Sequence, residues 1–237
     1  LNILTNSQGK IHVVAKGGIS NLGGKEFDEI VQKKISDTYF YLFRKTIENS
    51  SLNENRLKSI SEQIKIRLNE TRGSGFAQWI YIGNQFFKVF FDKDDYTLLA
   101  KELINKTETA VNRSLRSLGL NLSDIHRIIL IGGASSSHLV YDHWNGKIDS
   151  TKQTLIYHQP LASVAKGAAI YANSLSDTAS GFESSIDLKN VSTYNIALRK
   201  ADGGQPEIVI NKNLPLPVSG SKVIRVNPST PPQNLRF

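Results

Sequence analysis

The segment that most constrains the fold is RIILIGGASSS (Arg127 to Ser137), an apolar run from Ile128 to Ile131 that breaks into Gly132-Gly133 and small hydroxyl residues. Four consecutive branched or aliphatic residues bounded by glycines read as a buried strand. A strand that ends in two glycines leaves bare backbone N–H groups at its carboxyl end, where α/β proteins hold nucleotides. A structural turn explains Gly-Gly equally well, since glycine serves wherever positive φ is needed. The second constraint is SVAKGAAIYA (Ser163 to Ala172), an Ala-rich helix with Gly167 at a point where another backbone can approach closely.

Other segments place this strand in context. GGISNLGGKEFD (Gly17 to Asp28) supplies a second glycine turn, Gly23-Gly24, opening a helix that carries Phe27, Ile30, Val31 and Ile35 at three- and four-residue spacings. The aromatic stripe Tyr39, Phe40, Tyr41 and Phe43 reads as core packing. Asn53 to Glu70 places Leu57, Ile60, Ile64 and Leu68 on one helix face and Glu62 and Lys65 on the other. As an i, i+3 pair these two form a surface ion pair worth only about 0.2–0.5 kcal/mol. FAQWIYIGNQFFKVFF (Phe76 to Phe91) reads as a hairpin around Gly83-Asn84. A long helix follows, with its acidic start at Asp94 or Asp95 and Gly119 as its stop. Residues 1 to 16 read as a further hairpin.

The glycine turns, the Glu62/Lys65 helix and the Pro160 to Ala169 segment occur here in an order that resembles the nucleotide-binding domain of the seventy-kilodalton heat-shock chaperones of the DnaK type, members of the actin-like ATPase superfamily. The resemblance rests on Leu22 to Asp28, Glu62 and Lys65, Ile129 to Gly133, and Pro160 with Val164 to Ala169. It covers most of residues 1 to 176 and resumes at VSTYNIAL (Val191 to Leu198). It implies an α/β fold, an actin-like ATPase (ribonuclease H-like) lobe with an inserted α+β subdomain, followed by the first strands of a β-sandwich. The domains implied are residues 1–28 and 109–176 as a sheet subdomain, 29–108 as the inserted upper subdomain, 177–190 as a linker and 191–237 as a partial peptide-binding domain.

The same resemblance implies ATP or ADP with Mg²⁺ as cofactor, the metal being held mainly by residues outside this segment. The residues it puts at the nucleotide are Gly23, Gly24, Glu62, Lys65, Ile66, Asn69, Gly132, Gly133, Ala134 and Ser136. Glu62 and Lys65 would hold the ribose. Two departures stand out: Ile66 and Ser136 occupy positions where the family has the arginines that sandwich adenine, and Leu161 replaces an Asp. Guanidinium stacking is worth about 0.5–2 kcal/mol per contact. The family's phosphate loop precedes a strand like LNIL, so the segment on its own is expected to be inactive as an ATPase, because phosphoryl transfer needs groups from both lobes. The implied partners are unfolded or extended polypeptide clients, with a co-chaperone and a nucleotide exchange factor. A non-hydrolysing scaffold with a degenerate pocket is the alternative.

Composition excludes other classes. The 237 residues contain no cysteine, which removes disulfides and thiolate chemistry and fits a reducing, cytoplasmic setting. The net charge of +8 is scattered rather than gathered into a basic stripe interleaved with aromatics, arguing against nucleic acid. No run of eighteen apolar residues marks a membrane span. Asn173 to Ser185 is Ser-rich, the profile of a linker.

Overall fold

The computed structural model describes residues 1–7, 10–71, 73–175, 188–199 and 204–221. Its elements in chain order are β1 (Asn2–Ser7), β2 (Lys10–Lys16), α1 (Gly24–Phe43), α2 (Ser51–Glu70), β3 (Gly75–Ile82), β4 (Gln85–Asp92), α3 (Lys93–Arg116) and β5 (Arg127–Ile129). They continue with α4 (His138–Asn145), β6 (Thr154–Ile156), α5 (Pro160–Leu175), β7 (Leu188–Lys189), β8 (Ile196–Leu198) and β9 (Glu207–Ile210). These fall into two compact units, Gly18–Ser184 and Leu1–Gly17 with Ser185–Phe237. The sequence reading groups residues 1–28 with 109–176 instead.

In the larger unit, α1 begins at the glycine turn because Gly23 is extended and its N–H is accepted by the Glu26 carboxylate at 2.5 Å. That puts a negative charge on the positive end of the helix dipole. The four-residue steps Phe27, Val31, Ile35 and Tyr39 bury one face, and Arg44 ends the helix in the left-handed region at φ 53°. Ser50 caps α2, its Oγ accepting the Asn53 N–H at 3.3 Å, while Ser61, Ile64 and Leu68 face inward. The β3–β4 hairpin turns on Gly83 and Asn84, both at φ 57°, as the twist of a two-residue turn demands. Alternation sends Ile80, Ile82, Phe87, Val89 and Phe91 into the core with α1, α2 and α3. Trp79, Tyr81, Phe86 and Phe90 stand exposed on the outer face.

Helix α3 has the expected acidic start, with Asp94 and Asp95 in its first turn and Asp92 as the cap, whose side chain accepts both their N–H groups. Three expectations need correction. The aromatic stripe is split by helical periodicity: Tyr39 is buried, but Phe40 and Tyr41 are exposed. The Ile128 to Ile131 run is not buried throughout. Among the described residues strand β5 pairs only with β6, in parallel, and alternation buries Leu130 and leaves Ile129 and Ile131 exposed. At Gly167 no atom of the described residues lies within 4 Å of where a Cβ would stand, so no described backbone approaches it there.

In the smaller unit β1 and β2 pair antiparallel, and β7 adds to β2 in parallel through Ile11 to Leu188 and His12 to Lys189. β8 and β9 form a hairpin, and Ser192 ties in the following segment by donating to Asn211 O and accepting the Leu214 N–H. The sequence also predicts a turn at Asp202-Gly203-Gly204 and a strand SKVIRVNP, of which Gly204 and Ser221 alone lie within the described residues.

Gly75 makes the hairpin testable. At φ 154° a Cβ there would stand 2.2 Å from the Phe91 carbonyl oxygen. The Gly75→Ala protein is expected to lose about 2 kcal/mol of unfolding free energy in urea titration, because the β3–β4 pair must separate to admit the methyl group.

Candidate functional site

The helix N-terminus at Gly24, the last turns of α2, the first turn of α3 and the glycine turn after β5 meet around a cleft of about 190 Å³. Its walls are Gly24, Phe27, Lys65, Ile66, Asn69, Glu70, Tyr96, Gly133, Ala134, Ser136, Ser137 and His138. That volume is below the 300–1,000 Å³ of a drug-sized ligand pocket, so the cleft suits part of a ligand.

The polar groups here are tightly committed. Lys65 Nζ stands 2.8 Å from Asp28 Oδ1 and 3.5 Å from Gly24 O, with both charged side chains mostly buried. Asn69 is fixed at both ends: Nδ2 donates to Lys65 O at 3.0 Å, and Oδ1 accepts from Ser137 Oγ at 2.9 Å. Ser137 also caps α4 by accepting the Leu139 N–H. Tyr96 is 4% exposed, with its hydroxyl enclosed. Burial, and then the nearby Asp28 charge, push that phenol well above its ordinary pKa, so it is neutral across the physiological range. The Asn69 side chain, within hydrogen-bonding reach of the hydroxyl, opposes the shift.

The glycine turn is shaped by Gly132, at φ 87°, whose N–H donates to Pro160 O at 2.8 Å and so ties the turn to the start of α5. A 3₁₀ turn, Gly133–Ser136, follows. Gly133 is packed against α5, where an added Cβ would meet Leu161 Cδ2 at 3.4 Å.

Seven of the residues named from sequence therefore converge on the cleft: Gly24, Lys65, Ile66, Asn69, Gly133, Ala134 and Ser136. Gly23 lines a neighbouring, more open hollow of about 520 Å³ bounded by residues 20–26 and Glu29. Gly132 shapes the turn from behind. Glu62 lies exposed on α2 outside the cleft lining, and Lys65 pairs with Asp28 rather than with Glu62. Tyr96, Ser137 and His138 were not singled out from sequence. Nothing in the local pattern ties residue 96 to residues 65–69; only the packing of α3 against α1 brings it there.

Comparison with known proteins decides the family, since the model described as Hsp70 protein matches residues 1–231. The chain belongs to the Hsp70 family. Hsp70 membership carries the actin-like ATPase fold, and the described helices and strands are of that mixed kind. Similar curated proteins include the chaperone protein HscA of Buchnera aphidicola subsp. Schizaphis graminum, 28% identical over 228 residues. Heat shock 70 kDa protein 2 of Paracoccidioides lutzii is 27% identical over 228 residues. The mitochondrial iron-sulfur cluster biogenesis chaperone of Saccharomyces cerevisiae is 26% identical over 233 residues. Each match covers 94% of this chain and 34% of the relative, so the chain spans about a third of the length of the curated Hsp70 proteins it matches. No described helix is long and apolar enough to cross a membrane.

Proposed function

We propose that the chain is part of a DnaK-type chaperone in which a nucleotide governs the binding and release of unfolded polypeptide, and that the cleft between α1, α2 and the glycine turn takes the nucleoside end of ATP or ADP. The observation that carries this is the convergence of seven candidate residues, drawn from positions 24, 65–69 and 133–136, on one cleft of fitting size. Ile66 and the Gly133–Ala134 backbone offer apolar and unhindered flanks to a base. Lys65 and Asn69 offer polar contacts. Mg²⁺ would be met mainly by groups beyond this segment, and it would neutralise phosphate charge during transfer.

In this reading residues 1–28 and 109–176 form the sheet subdomain, 29–108 the upper subdomain and 191–237 the start of a β-sandwich for extended peptide. The pairing of Leu188–Lys189 with β2 would carry the nucleotide state toward that peptide domain. Clients, a co-chaperone and an exchange factor are the partners, and the cytoplasm is the compartment. The experiment is release of a labelled extended peptide from the full-length protein on adding MgATP. Faster release than with MgADP supports the reading, and equal release with both contradicts it.

A scaffold that binds no nucleotide is favoured by one observation: neither Ile66 nor Ser136 supplies a cation to a base. The loss is reversible. Ile66 is 48% exposed, so an arginine fits without strain. Ile66→Arg is expected to tighten ADP binding about two- to fivefold, the worth of one exposed cation–π contact, as read by calorimetry.

A further inference from the structure

Asn69 and Ser137 stand 68 positions apart in the chain and belong to different walls of the cleft, the first in the last turn of α2 and the second at the cap of α4. A hydrogen bond of 2.9 Å from Ser137 Oγ to Asn69 Oδ1 joins them. Its direction is set by what lies on either side. Asn69 Nδ2 is turned to Lys65 O at 3.0 Å, which leaves the carboxamide oxygen facing Ser137, so the serine hydroxyl must donate. Among the described residues this is the only hydrogen bond from α2 to any residue beyond α3.

The other end of α4 is anchored elsewhere. Lys147, just past the helix, donates to Glu108 Oε1 of α3 at 2.9 Å, and His143 Nε2 lies 3.0 Å from Glu108 Oε2. The end of α4 that carries the glycine turn is therefore held to α2 through Ser137, while its far end is held to α3. Leu139 and Val140 also pack against the core, but apolar contact is non-directional and tolerates sliding. We propose that Ser137 is a positioning residue that latches the glycine turn onto α2 through Asn69, so that release of the nucleotide requires this bond to break. The inference rests on the reading of the cleft as a nucleotide site and assigns the control of release from it. Both partners are neutral, so the latch opens without stranding a charge.

The test is stopped-flow release of a fluorescent ADP analogue, with Mg²⁺, from the full-length protein, from Ser137→Gly, Ser137→Thr and Asn69→Ala, and from the Ser137→Gly/Asn69→Ala double variant. Glycine costs only a few tenths of a kcal/mol relative to serine as a helix cap, so Ser137→Gly removes the latch and spares α4. Release is expected to be about 2- to 10-fold faster in Ser137→Gly, the worth of one neutral hydrogen bond, and close to the wild-type rate in Ser137→Thr, which keeps the hydroxyl. In the Asn69→Ala background Ser137→Gly should add nothing, since the latch has already lost its acceptor. The same acceleration in both backgrounds would give Ser137 a ligand contact of its own and overturn the latch. An unchanged release rate in Ser137→Gly, or release as fast in Ser137→Thr as in Ser137→Gly, overturns it too, and all three results leave the nucleotide site standing. Failure of the wild-type protein to bind the analogue removes both.

Discussion

Tyr39→Ala is expected to destabilise the larger unit by about 3–5 kcal/mol, the loss seen when a buried aromatic is truncated and its cavity collapses only in part. Tyr39 is 1% exposed and sits at the centre of the unit's core. Its ring meets Phe43 at 4.9 Å between centroids and Phe87 edge-on at 5.6 Å, so it joins α1 to the hairpin. Its hydroxyl donates to Gly83 O at 3.2 Å, fixing the hairpin turn. Tyr39→Phe separates these roles: it keeps the ring contacts and should cost about 1 kcal/mol, the net worth of one hydrogen bond. Urea unfolding of the two variants checks both numbers, and equal losses would mean that the ring contributes nothing beyond its hydroxyl.

Lys65→Ala is expected to act twice. The Lys65–Asp28 pair is mostly shielded from water, with 16% and 17% of the side chains exposed, so removing the cation leaves a carboxylate partly buried and unpaired. A fully buried pair broken in this way costs about 3–5 kcal/mol; the residual exposure reduces the expectation to about 2 kcal/mol. The same substitution removes a charged donor from the cleft and should weaken ADP binding about 10- to 100-fold, the worth of a hydrogen bond to a charged group. The Asp28→Asn variant and the double variant complete a cycle. If the two residues act as a pair, the double variant is less destabilised than the sum of the singles, whereas strict additivity would show that they do not interact.

Much of this was legible in the chain because it is set by local chemistry. The glycine turn ahead of α1, the Gly83-Asn84 hairpin and the amphipathic faces of α1 and α2 follow from side-chain spacing and the φ demands of tight turns, and neither depends on distant partners. The cleft was legible only through resemblance. Gly24, Lys65 and Gly133 belong to segments far apart in the chain, and no periodicity joins them. Where the reading failed, tertiary context decided. Glu62 and Lys65 share a helix face by spacing, but Lys65 turns to Asp28 because α1 packs against α2 and brings a carboxylate closer. Ile129 and Ile131 are as apolar as Leu130, but among the described residues β5 has a neighbouring strand on one side only. Tyr96 could not be placed at the cleft from sequence, since an aromatic one turn into a helix is ordinary core material.

The claim on which the rest depends is that the cleft holds a nucleotide, and calorimetric titration of MgADP into the full-length protein tests it most directly. Saturable one-site binding, weakened in Lys65→Ala and tightened in Ile66→Arg, is the predicted result. Absence of binding at millimolar MgADP, in the wild-type protein and in Ile66→Arg alike, would contradict the account and leave an Hsp70 scaffold that works without a nucleotide.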